Sequence, residues 1–238
     1  MTKIEGKTHT HLLKKCRKSA FTLVEVLITL GIIGIVAAMT MPTLMWEYKK
    51  TVAVSKLKKF YTTMQQAIQL SEIDYGDVEY WMPPQEAVRN SSEYEKWFNK
   101  YLAKSFKIIS QKRLDSTYYE VGLADGSGFV TYAPGTTLIH FFFCTELKYC
   151  GVERYDGQTS FLFTLGKVNN KFKFITSNTS HQNMKRKELL EQCKYGNTDN
   201  ADISKPNKRH ACTRLIEVDG WTIKNDYPWQ QTILEQKD

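Results

Sequence analysis

The sequence predicts an α+β fold, with one long N-terminal helix laid against an antiparallel sheet. Three observations lead there. Phe21 to Met45 is a 25-residue apolar stretch with a single ionisable residue, Glu25. An amphipathic helical pattern then continues as far as Tyr75-Gly76. From Tyr118 onward the period changes, and short aromatic and β-branched segments alternate with turn residues.

The apolar stretch comes first. About 20 apolar residues span a bilayer as a helix, so this one is long enough. A secretory signal peptide would have a shorter apolar core, roughly 7–15 residues, and a small-residue cleavage site after it. Ala37-Ala38-Met39 is a poor version of such a site. Residues 1–20 carry six cations and one anion, a net +5, and positive flanks stay in the cytoplasm. The expected orientation is N-terminus in, remainder out, although Lys49 and Lys50 past the other end weaken the bias. A carboxylate inside a membrane helix costs a few kcal/mol, about 2.5–3.5 on insertion scales, so Glu25 reads as functional. Gly31 and Gly34 permit close approach between packed helices. Pro42 removes a backbone donor and predicts a kink or break.

The residues before and around Glu25 are Lys14-Lys15-Cys16-Arg17-Lys18-Ser19-Ala20 followed by Phe21-Thr22-Leu23-Val24-Glu25. This stretch resembles the leader of type IV pilins and of the pseudopilins of type II secretion. The resemblance implies cleavage between Ala20 and Phe21 by a membrane-embedded prepilin peptidase, which also N-methylates Phe21. Ala20 stands where the family usually has Gly, so slower processing is expected. The resemblance further implies that Glu25 meets the N-terminal amine of a neighbouring subunit in the filament. Its own amine is the alternative in the lipid-inserted monomer. It implies a first helix that bends or melts near Pro42, and a pilin-like fold. The partners implied are the prepilin peptidase, other pilin or pseudopilin subunits in a homo- or hetero-polymer, and an inner-membrane assembly platform.

Past Pro42, Val54, Leu57, Phe60, Tyr61, Met64, Ala67, Ile68 and Leu70 recur at three- and four-residue steps, with Lys56, Lys58, Lys59, Gln65 and Gln66 between them. The expected division is a leader at 1–20, a membrane or filament-core helix at 21–45, its amphipathic second half at 46–75, and a globular head at 76–238. The head opens with a loop containing Pro83-Pro84. A second helix follows, with Ser92-x-x-Glu95 as its capping box and Tyr94, Trp97, Phe98, Tyr101, Leu102 and Phe106 on one face.

Strand-like segments lie at Tyr118–Leu123, Phe129–Ala133, Thr136–Cys144, Phe161–Val168 and Lys171–Thr176. Turns are expected at Asp125-Gly126, Pro134-Gly135, Asp156-Gly157 and Asn169-Asn170. The short connections predict a meander of four strands, or five. The last 60 residues have weaker periodicity and read as a loop region with short strand or helix pieces.

Cys16 falls in the leader. Cys144, Cys150, Cys193 and Cys212 remain, and four cysteines allow three pairings. Local closure favours Cys144–Cys150 and Cys193–Cys212, the second stapling the C-terminal region. A zinc site from Cys193, His210 and Cys212 is the rival, although it lacks the C-x-x-C pair of structural zinc sites.

Other chemistry is sparse. Gly126-Ser127-Gly128 lacks the pattern of a nucleophile elbow or a dinucleotide site and reads as a hairpin turn. His140 lies in an apolar strand and reads as a packed or interface histidine. Some pseudopilin heads bind calcium in a C-terminal loop, but Asp199 and Asp202 match no calcium loop, and no cofactor is expected. The runs Lys185-Arg186-Lys187 and Lys205–Arg209 read as solvated faces. Without the leader the chain's +8 falls to +3, a weak signal for nucleic acid.

Two functions follow. The first is a structural subunit of a type IV pilus or type II secretion pseudopilus, not an enzyme. It is anchored in the inner membrane by one span and then built into a periplasmic or extracellular filament. The second is a minor pilin whose head binds DNA, a surface or a secreted substrate.

Overall fold

The computed structural model describes residues 22–195 and 209–229. The chain forms two compact units, residues 1–46 and 47–238. In the first, the described part is helical from Leu23 and forms the beginning of α1, which runs from Leu23 to Tyr75. The helix continues through Pro42 without a break, so the single long helix stands and a break is not the outcome there. A proline removes one N–H, here the donor to the Ala38 carbonyl, and the good helix formers around it carry the ladder on either side.

The second unit is α+β. Within it α1 buries Ala53, Leu57, Phe60, Met64, Ala67 and Ile68 along one face. The helix ends as predicted, at Gly76, whose φ of +80° favours a residue without a side chain. Its N–H donates to the Glu72 carbonyl at 2.9 Å. Two single turns, Val78–Trp81 and Gln85–Ala87, lead to α2, Ser91–Tyr101. The expected capping box is corrected: Asn90 is the cap, and its carboxamide oxygen accepts from the Ser92 and Glu93 N–H groups at 3.2 and 3.4 Å. Ser91 turns away, its hydroxyl donating to the Asp115 carbonyl at 2.6 Å.

The sheet has six antiparallel strands in sequential order: β1 Ile108–Arg113, β2 Tyr119–Leu123, β3 Gly128–Gly135, β4 Leu138–Cys144, β5 Ser160–Val168 and β6 Lys171–Thr176. Sequence reasoning missed β1. It is an edge strand, and all of its residues after Ile108 are exposed, so it carries no alternating apolar pattern. The β3–β4 turn is also corrected. It falls on Thr136-Thr137, while Pro134 and Gly135 stay within β3 at an irregularity of register, where a missing N–H is tolerated. Asn169 and Asn170 form the predicted β5–β6 turn with φ of 52° and 60°, the left-handed geometry of a two-residue hairpin.

Phe60 joins the helix to the sheet. Its ring lies 4.7 Å from Phe143, 5.1 Å from Phe163, 5.2 Å from Phe129 and 6.0 Å from Phe174. These rings come from β3, β4, β5 and β6, so one helical side chain touches four strands. The opposite sheet face holds a smaller cluster of Val130, Phe142, Tyr155 and Leu162.

The C-terminal region contains α3, Arg186–Tyr195, and α4, Cys212–Val218. Cys193 is bonded to Cys212 and Cys144 to Cys150, with Cα separations of 4.7 and 5.2 Å. Gly157, φ +76°, passes so close to the first pair that a Cβ there would lie 2.5 Å from Cys212 Sγ. The expectation of a wholly solvated Lys185-Arg186-Lys187 is corrected at its centre. The Arg186 guanidinium spans two carboxylates, Asp219 at 2.6 and 2.8 Å and Asp226 at 2.8 Å through two nitrogens. Asn197–Lys208, with Asp199 and Asp202, lie outside the described residues. Arg209 is buried, and its guanidinium donates to the Pro228 carbonyl at 3.2 Å.

Two expectations follow from these contacts. Phe60→Ala should destabilise the head by about 3–5 kcal/mol. It is read as a lowered urea midpoint of the full chain in mild detergent, with Tyr80→Ala, 81% exposed, as the near-neutral control.

The second concerns acid. Burial alone would raise the Asp219 carboxyl, but hydrogen bonds from Arg186 and Lys224 outweigh it and hold that group below the usual carboxylate range. Arg186 does the same for Asp226. A carboxyl lowered on folding contributes stability above its unfolded pKa, about 3.9 for Asp, and loses it as pH falls through the lower folded value. Asp219→Asn should therefore melt at lower temperature than the parent at pH 7. The gap should narrow as pH drops below about 4.

Candidate functional site

The first residues described set the geometry of the helix start. The Thr22 N–H donates to Glu25 Oε2 at 2.9 Å, and the Glu25 N–H donates to Thr22 Oγ1 at 3.2 Å. This is a reciprocal capping box, which satisfies two of the backbone donors that a helix leaves open at its start. Sequence reasoning missed it, although the Thr22-x-x-Glu25 spacing is the signal that was applied to Ser92 and Glu95. The carboxylate of Glu25 is therefore hydrogen-bonded within its own turn. Ala20 and Phe21, the expected cleavage junction, lie outside the described residues.

From this cap, α1 is the one helix among the described residues long and apolar enough to cross a membrane. Fourteen large apolar side chains between Leu23 and Met45 are 44–76% exposed among the described residues. Thr29 and Thr40 turn their hydroxyls back to the Val26 and Val36 carbonyls at 2.9 and 3.0 Å, which removes free hydroxyls from an apolar surface. Gly31 and Gly34 have nothing within 4 Å of where a Cβ would stand. Each glycine costs a helix about 1 kcal/mol relative to alanine. No contact among the described residues requires either.

The head brings together groups that resemble catalytic or metal sites but whose contacts give them other roles. Ser177, at φ +64°, places its hydroxyl 2.8 Å from His181 Nδ1. The same hydroxyl donates to the His210 carbonyl, so the imidazole must be the donor in the first contact and is not a base toward the serine. Ser177 is also fully buried. His140 stacks on Tyr132 and Phe142, and burial pushes its imidazole down to about 4, a poor proton acceptor at neutral pH. Ser127 serves the β2–β3 turn through Asp125 Oδ1, which accepts from its N–H at 3.1 Å and from its hydroxyl at 2.5 Å. The bond between Cys193 and Cys212 removes both sulfurs from the zinc arrangement with His210. Among the described residues, no three His, Cys, Asp or Glu side chains are grouped to hold a metal.

The geometry thus concentrates exposed apolar surface on the first half of α1. Comparison with known proteins matches two regions. Residues 15–41 match the prokaryotic N-terminal methylation motif. This is the prepilin-type cleavage and methylation signature of type IV pilins and pseudopilins. Residues 43–231 match a family of unknown function, DUF6613. No curated protein and no solved structure matches the chain. Its N-terminal signature is that of pilin- and pseudopilin-type subunits, and over most of its length the chain belongs to the family of unknown function DUF6613.

Proposed function

We propose that this chain is a structural subunit of a pilus or pseudopilus. It is inserted N-terminus inward in the inner membrane, cut between Ala20 and Phe21, N-methylated at Phe21, and polymerised by packing of the first half of α1. The division into leader, core helix, amphipathic helix and head is part of the same reading. The observation that carries it is an apolar helix whose large side chains stand exposed, and whose glycines have open space beside them, among the described residues. In lipid or in a bundle of identical helices that surface is covered. In water, an apolar surface of this extent marks an interaction site or an aggregation liability.

Glu25 has two successive roles in this mechanism. In the monomer its carboxylate accepts the Thr22 N–H, which lowers the cost of carrying a charge into the apolar phase. Cleavage before Phe21 creates an amine one residue from Thr22. When helices pack, a neighbour's amine is a stronger partner than a neutral amide, because attraction between opposite charges rises in low dielectric. The exchange of partner fixes the register of each added subunit. Gly31 and Gly34 let the neighbouring backbone approach.

Glutamine at position 25 separates these roles, since a capping box tolerates Gln but the charge is lost. Glu25→Gln should be cleaved and inserted normally and should yield no sheared filaments. Removing one member of a buried ion pair costs about 3–5 kcal/mol. Wild-type filament yield from Glu25→Gln would refute the assembly role.

Mass spectrometry of the native N-terminal peptide should find methylated Phe21. An intact 1–20 segment in functional filaments would refute the proposed processing. Quantifying the chain in sheared filaments distinguishes a main subunit from a minor one with a binding role.

A further inference from the structure

A pocket of about 250 Å³ opens between α1 and the β2–β3 turn. Phe60 and Phe106 line its apolar part, and Lys56, Lys59, Lys107 and Asp125 its charged part, a net +2. Lys56 Nζ donates to the Thr145 carbonyl at 2.7 Å, and Lys59 pairs with Asp125 at 2.7 Å while remaining 64% exposed. Lys107 is exposed.

The far end of α1 is the opposite in charge. Residues 70–80, Leu-Ser-Glu-Ile-Asp-Tyr-Gly-Asp-Val-Glu-Tyr, hold four carboxylates and no cation. Glu79 is paired with Lys167 and Glu72 accepts the Val78 N–H, whereas Asp74 and Asp77 are exposed. Ile73 and Tyr80 stand 79% and 81% exposed beside them. Asp74 lies in the last helical turn, where the macrodipole favours cations and disfavours carboxylates. Two large apolar side chains in water and a carboxylate set against the dipole are unfavourable for the isolated head.

We propose that this acidic, apolar tip of one copy docks in the lysine-lined pocket of another. Ile73 or Tyr80 would meet the Phe60–Phe106 floor, with Asp74 and Asp77 facing Lys107 and Lys59. The inference rests on the assembly reading and adds a contact between heads. The two surfaces differ, so the contact is heterologous and propagates along a filament. Lys59 and Ile73 are 14 residues apart on α1. At 1.5 Å per residue, copies joined this way are offset by about 21 Å along the helix.

The test uses the full chain in its native host. A chain carrying both Ile73→Cys and Lys107→Cys should give a ladder of disulfide-linked multimers on mild oxidation. Replacing Ile73→Cys with Lys173→Cys, an exposed position on β6, should give none.

Asp74→Lys and Lys107→Glu should each lower sheared-filament yield about tenfold, since like charges face each other across the contact. Combined in one chain, they should restore it. Peptide mapping of the two native disulfides verifies that each variant head is folded, and the cysteine pair supplies the result if a reversal is not. Wild-type yield from either single reversal, no recovery in the folded double variant, absence of the ladder, or cross-linking of the Lys107→Cys copy to a different protein would overturn the proposal. Wild-type filaments that lack this chain would instead refute the assembly reading itself.

Discussion

The head depends on the seating of one helix against one sheet, and Phe60 is the centre of that contact. A meander of six strands is continuous in hydrogen bonding but leaves its inner face apolar. Phe129, Phe141, Phe143, Phe161, Phe163 and Phe174 all belong to the buried core. Aromatic rings favour tilted and edge-on contacts, and those around Phe60 vary from stacked to perpendicular. Such packing fixes the helix in rotation as well as distance. It thereby decides which residues of α1 face solvent, and so places Lys58, Lys59 and Ile73 on the outside.

The two halves of α1 meet different physical demands. The second half buries an apolar stripe from Ala53 to Ile68 in the head and keeps a polar back, while Leu70 and Ile73 near its end stay exposed. The first half has no polar back, and its apolar side chains stand exposed among the described residues. Among its described polar side chains, Thr22 and Glu25 cap each other, and Thr29 and Thr40 bond to the preceding turn. A helix so arranged leaves few unsatisfied polar side chains to oppose burial in an apolar surrounding.

Much of this was legible in the sequence. The long helix, its end at Gly76 and the Asn169-Asn170 hairpin follow from period and turn chemistry, because each is set by local residues. The β1 strand was not legible, since an edge strand with little buried surface carries little pattern. Asn90 competes as a cap with a box at Ser92 that satisfies the same rule two residues later, and the helix start is set by the bonds that Asn90 itself accepts from Ser92 and Glu93. The reverse happened at the candidate site, where Thr22-x-x-Glu25 was read only for its charge. Arg186 was taken as a surface cation because its partners, Asp219 and Asp226, lie more than thirty residues away in the chain. Long-range ion pairs leave no local signal.

The bond between Cys193 and Cys212 closes a ring around residues 194–211, and α3 and α4 are tied at its neck. A cut within the ring would leave both ends joined, so a protease acting there would nick the head without shedding a fragment. The ring is also anchored from within, since Arg209 and Ala211 are buried, so a nicked head would keep those residues seated while the bond holds its two ends together.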